Sequence, residues 1–99
     1  YGGRVACAPR PVHGKTSRVR HDRRGLFRDV PDPAVVGRYH SLVVTDLPPE
    51  LEACAWAEDG CLMAFRHRSL PVAGVQFHPD SFLTPDGERL FRNALDGRF

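Results

Sequence analysis

The sequence predicts an α/β chain in which a series of short strands ends in a single helix, and three observations carry that prediction. Short apolar or β-branched segments recur between proline and glycine breaks. An Asp59-Gly60 pair sits between two of these segments, as a hairpin turn requires. Only one stretch, near the C-terminus, spaces its apolar residues as a helix does. Taken in order, residues 4–8 read as a short strand closed by Pro9 and Pro11, and residues 16–21 alternate like an edge strand before a turn over residues 22–25. Val30-Pro31-Asp32-Pro33 is a loop, because proline supplies no backbone donor to a ladder. Ser41-Leu42-Val43-Val44-Thr45 reads as a strand ended by Pro48 and Pro49. Residues 51–57 and 61–67 flank Glu58-Asp59-Gly60 as a hairpin, and residues 72–77 form the strand that leads to His78. The helix takes Thr84 as its N-cap and Pro85 as its first position, with Asp86 and Glu88 near the positive end of its dipole. Leu90, Phe91, Ala94 and Leu95 form its apolar stripe, which packs as scaffold against a sheet, and Gly97 closes it.

Composition narrows the function classes. The chain has 99 residues, 41% of them apolar, and carries nine glycines and nine prolines, so a core is available but long regular elements are few. No apolar run reaches membrane-spanning length and no signal-peptide pattern opens the chain. Three cysteines without paired spacing argue against a disulfide framework and for a reducing cytoplasm. There is no Cys-x-x-Cys, and the histidines and cysteines lack ligand spacing, so no metal site is expected. Charge is uneven. Residues 1–28 hold eight basic side chains against Asp22 alone, whereas the remainder holds six against eleven acidic ones. Aromatics are not interleaved with the basic run as base stacking would require, so solvated surface is preferred over nucleic-acid binding.

Gly74-Val75-Gln76-Phe77-His78-Pro79-Asp80-Ser81 is the stretch that points to chemistry. Residues two apart on an extended segment project to one side, so His78 and Asp80 can meet, and Pro79 disfavours a helical His78. A histidine oriented by a carboxylate is the general-base half of a nucleophilic site. His40 reads as a packed or partner-facing histidine rather than a second base, and His13, His21 and His67 have no carboxylate two residues away on a strand.

That stretch resembles the C-terminal signature of the class I (triad) glutamine amidotransferases, where a Gly-Val-Gln-Phe strand ends in His-Pro-Glu. His13-Gly14-Lys15-Thr16-Ser17, His21-Asp22, Gly25-Leu26-Phe27, Arg38-Tyr39-His40-Ser41-Leu42 and Arg66-His67-Arg68 fall in the order of one branch. That branch is the glutaminase component of anthranilate synthase and aminodeoxychorismate synthase. The resemblance covers essentially the whole chain. It implies the C-terminal half of a flavodoxin-like, open-sheet α/β domain, with Tyr1-Gly2-Gly3-Arg4-Val5 matching the sequence just after the nucleophile helix. The chain opens at Tyr1 with no initiator methionine, and the family's Gly-x-Cys-x-Gly-x-Gln turn is expected upstream of it.

The resemblance implies glutamine as substrate, His78 as the catalytic base and Asp80 as its orienter, Ser41 and Leu42 as substrate-binding residues acting largely through their backbone, and no cofactor. The family has glutamate where this chain has Asp80, whose side chain is one methylene shorter. It also implies a chorismate-binding synthase as partner, as a separate subunit or a fused domain, with the 13–17 segment near it. Either anthranilate or aminodeoxychorismate fits as product. Cys7, Cys54 and Cys61 lack the flanking glycines of a nucleophile elbow and are read as packed, inert thiols. The segment alone is therefore expected to be inactive. The alternatives are a non-catalytic amidotransferase-like docking or regulatory module and, on the basic run alone, a nucleic-acid-binding domain.

Overall fold

The computed structural model describes residues 2–99, with the side chains of residues 9–12 left aside. Tyr1, where the resemblance to the family begins, lies outside the described residues. Five strands, β1 (Arg4–His21), β2 (Ala34–Asp46), β3 (Leu51–Ala57), β4 (Leu62–His67) and β5 (Ala73–Val75), form one open sheet in the order β2-β1-β3-β4-β5. Every pairing is antiparallel. A single 3₁₀ turn (Gly25–Phe27) and helix α1 (Gly87–Leu95) complete the mixed α/β architecture.

The first two expected strands are one. β1 runs for 18 residues and does not stop at Pro9 and Pro11. Its ladder with β2 instead steps from Cys7↔Leu42 to Val12↔His40, so that residues 8–11 face Ser41 alone. The prolines fall inside this bulge, where the missing N–H groups cost no ladder bond. A second register shift places Gly14, with φ of 72°, between His13↔Tyr39 and Lys15↔Arg38; this left-handed conformation suits glycine. Nor do residues 16–21 form an edge. Val19 pairs with Ala34 on one side and Ala57 on the other, which leaves β2 and β5 as the outer strands.

The core lies where α1 and the 3₁₀ turn meet the sheet. Val19, Phe27, Val36 and Met63 are completely buried, and each side chain of this kind stabilises by about 1.5–3 kcal/mol. Phe77 is also buried, its ring 6.2 Å from that of Phe27, and it anchors the segment leading to His78. The helix is tied down by Asn93, whose amide donates to the Leu26 and Arg28 carbonyls at 2.7 and 2.8 Å. Leu90 packs in the core as expected, whereas Leu95 is 87% exposed and Phe91 about half exposed, so the buried stripe is narrower than its sequence spacing suggested. No described helix is long and apolar enough to cross a membrane.

Candidate active site

Thr84 does not cap the helix. Its Oγ1 donates to the His78 carbonyl at 2.7 Å and accepts from the Gly37 N–H at 2.8 Å. With that hydroxyl engaged elsewhere, α1 starts later, with Asp86 at the N-cap position. The His78 N–H donates to the Gly37 carbonyl at 3.0 Å, forming an isolated antiparallel bridge to β2. Three hydrogen bonds therefore hold the His78 backbone against Gly37. A methyl group on Gly37 would lie 3.0 Å from both Leu83 Cβ and Ser81 Oγ, so glycine permits the close approach.

His78 and Asp80 do meet, but not along an extended strand. Ser81 N–H donates back to the His78 carbonyl at 3.2 Å, closing a turn with Pro79 in its second position. That turn brings Asp80 Oδ1 to 3.6 Å from His78 Nδ1, with the two side chains 74% and 49% exposed. The contact is longer than a hydrogen bond and leaves the imidazole accessible. Tyr39 supports the ring edge-on, at a centroid distance of 5.1 Å and an interplanar angle of 79°. Its hydroxyl lies 3.4 Å from Ser81 Oγ.

Ser41 and Leu42 are exposed on β2 beyond Tyr39. Strand alternation puts Gly37, Tyr39 and Ser41 on one face, so Ser41 lies one pleat beyond the residue that touches His78. The cysteines separate. Cys54 and Cys61 are buried, and burial pushes the Cys54 thiol up to about 11 and the Cys61 thiol above its ordinary value. Cys7 is exposed, contrary to its reading as a packed thiol. Sequence reasoning gave no role to Tyr39 or Gly37 and misassigned Thr84, because each acts through a partner on a distant segment. A cleft of about 540 Å³ is lined on the sheet by Cys7, Val43, Val44, Trp56, Asp59 and Leu62 among others, and does not include the His78 turn.

This geometry sits on a recognisable scaffold. The chain belongs to the glutamine amidotransferase class-I family, whose profile matches residues 1–97. It is 64% identical over 96 residues to an aminodeoxychorismate synthase of Streptomyces griseus, covering 97% of this chain and 13% of that protein. It is 50% identical over 96 residues to anthranilate synthase component 2 of Archaeoglobus fulgidus, covering 97% of this chain and 52% of that one. Among solved structures, a putative GMP synthase subunit from Thermoplasma acidophilum superposes with a TM-score of 0.90 at 26% identity, over 97% of this chain and 48% of that one. The chain thus spans about half the length of the component 2 relative and a smaller share of the synthase. The open-sheet α/β class expected from the sequence is the fold observed.

Proposed function

We propose that this chain is the C-terminal portion of a glutaminase domain that releases ammonia from glutamine for a chorismate-aminating synthase. The observation that carries the reading is the His78 turn: a half-exposed imidazole, clamped through its backbone to β2 and facing a carboxylate through Nδ1. Family membership and the high identity to two chorismate-pathway relatives support it.

The nucleophile is a cysteine in the part of the domain outside this chain. The buried Cys54 and Cys61 do not serve, since their raised pKa values keep them as thiols near neutrality. His78 Nε2, the ring nitrogen turned away from Asp80, removes the thiol proton. The thiolate attacks the glutamine side-chain carbonyl; when the C–N bond breaks, the imidazolium returns the proton to the departing ammonia. The same ring then takes a proton from water as it cleaves the thioester, giving glutamate. Asp80 holds the ring tautomer and stabilises the imidazolium. The backbone of Ser41 and Leu42 holds glutamine. By itself the 99-residue chain is inactive, and the apolar residues around the 540 Å³ sheet cleft pack against the rest of the domain. The complete protein works in the cytoplasm, with the synthase as subunit or fused domain.

The test is His78→Ala in the complete enzyme. Glutamine-dependent synthesis should fall by about 10²–10⁴-fold, the usual contribution of a positioned acid–base group, while synthesis from added ammonia persists. Equal loss of both activities would make His78 structural and defeat the assignment.

A further inference from the structure

Ser41 has no ladder partner on β1, because residues 8–11 bulge opposite it, while its neighbour Leu42 still pairs with Cys7. A buried polar chain supplies further support to this segment. Arg38, with only 3% of its side chain exposed, donates from Nη1 to Asp59 Oδ2 at 3.0 Å and to Ser17 Oγ at 3.1 Å. Its Nε donates to His40 Nε2 at 2.9 Å. A guanidinium has no acceptor, so Nε2 must be the unprotonated nitrogen and the imidazole proton must sit on Nδ1. That proton is donated to the Leu42 carbonyl at 2.9 Å.

The chain from Asp59 through Arg38 and His40 therefore ends on the backbone of the segment proposed to bind glutamine. Burial disfavours the His40 cation and Arg38 and His13 add to that, outweighing the Leu42 carbonyl and Asp59, so its pKa lies below the usual histidine value. The neutral ring keeps one donor and one acceptor, the pair its two partners need. The imidazole bond fixes this peptide plane, and a carbonyl oxygen can accept a second hydrogen bond besides it.

We infer that His40, held by Arg38, is a positioning residue for glutamine: it fixes the Leu42 peptide plane and so acts on substrate binding rather than on the chemical step. The inference rests on the assignment of Ser41 and Leu42 made above.

Two substitutions in the complete enzyme separate the two ring nitrogens. His40→Asn keeps an N–H where Nδ1 carries one, whereas His40→Gln keeps an acceptor for Arg38 and offers Leu42 nothing. His40→Gln should raise the glutamine KM by about ten-fold, as loss of one well-placed hydrogen bond predicts, with kcat changed by no more than about two-fold. His40→Asn should stay within about three-fold of the parent KM, and both should retain ammonia-supported synthesis. An unchanged KM in His40→Gln, or an equal rise in both variants, overturns the inference. If His40→Gln fails to fold, Arg38→Lys decides: it keeps the charge but loses the Nε fork, and an unchanged KM there is equally fatal. His78→Ala distinguishes the levels. If it retains glutamine-dependent synthesis, the underlying reading fails; if it is inactive while the His40→Gln KM is unchanged, only the positioning role fails.

Discussion

The 78–81 turn and the 38–42 segment of β2 each hold a histidine, but they hold it in opposite ways. His40 is buried and both its nitrogens are committed, one to Arg38 and one to the Leu42 carbonyl. His78 is half exposed and its one carboxylate contact is long, at 3.6 Å. A ring whose donor and acceptor are both satisfied in a desolvated site has nowhere to send or receive a proton. A ring anchored by its backbone and an aromatic neighbour, with one nitrogen turned outward, can transfer one without breaking the fold. The comparison separates availability from precision: the open histidine suits chemistry and the closed one suits placement. Thr84 joins the two regions, since it bonds both Gly37 and His78.

Breaking that joint should have the largest effect. Thr84→Val preserves shape but leaves the buried Gly37 N–H without its acceptor and removes one donor from the His78 carbonyl. In the complete enzyme we expect a loss of about 2–3 kcal/mol in denaturant unfolding and, on the proposed assignment of His78, a fall in glutamine hydrolysis of about a hundred-fold as the ring shifts on the scale of 1 Å. Unchanged stability and activity would mean that the turn is held by its internal bonds alone.

Asp59→Asn probes the closed region. It leaves Arg38 buried without its carboxylate, and Arg38 Nη2 already has no partner among the described residues. Because the Asp59 side chain is 42% exposed, the expected loss is moderated by solvent to about 1–2 kcal/mol. Burial raises the Asp59 pKa, but the Cys61 and Arg38 hydrogen bonds outweigh it and hold the carboxyl below its ordinary value of 3.8. The stabilisation is therefore fully present above that ordinary value and is lost as pH falls through the depressed one. The stability gap between parent and variant, measured by denaturant titration at neutral pH, should narrow as the pH is taken below that ordinary value.

The smallest effect on stability is expected at the open region. Asp80→Glu, at a side chain 74% exposed, should change unfolding free energy by no more than about 0.5 kcal/mol. The added methylene can close the 3.6 Å gap to hydrogen-bond length, so on the proposed assignment the glutaminase activity of the complete enzyme should hold or rise by several-fold. A collapse in activity would show a site built around the shorter carboxylate.

Much of the local structure was legible in the chain. The Glu58-Asp59-Gly60 hairpin, the terminal helix and the adjacency of His78 to Asp80 all follow from turn chemistry, periodicity and short sequence separation. Two of the departures share one cause. Pro9 and Pro11 read as a strand end because proline normally interrupts a ladder, yet a bulge opposite Ser41 absorbs them. Thr84 read as an N-cap because local capping is the usual use of a threonine there, yet its hydroxyl found partners on β2 and at His78.

Which segments extend, where the chain turns, and the two-residue spacing of an imidazole and a carboxylate are properties of the sequence alone. Those outcomes depend on backbone sterics and on neighbours within a few residues. Which histidine is closed and which is open was settled by long-range packing. Arg38 reaches Asp59 across 21 positions and Gly37 reaches Thr84 across 47, and such pairings become definite only when burial excludes water and obliges each polar group to find a partner.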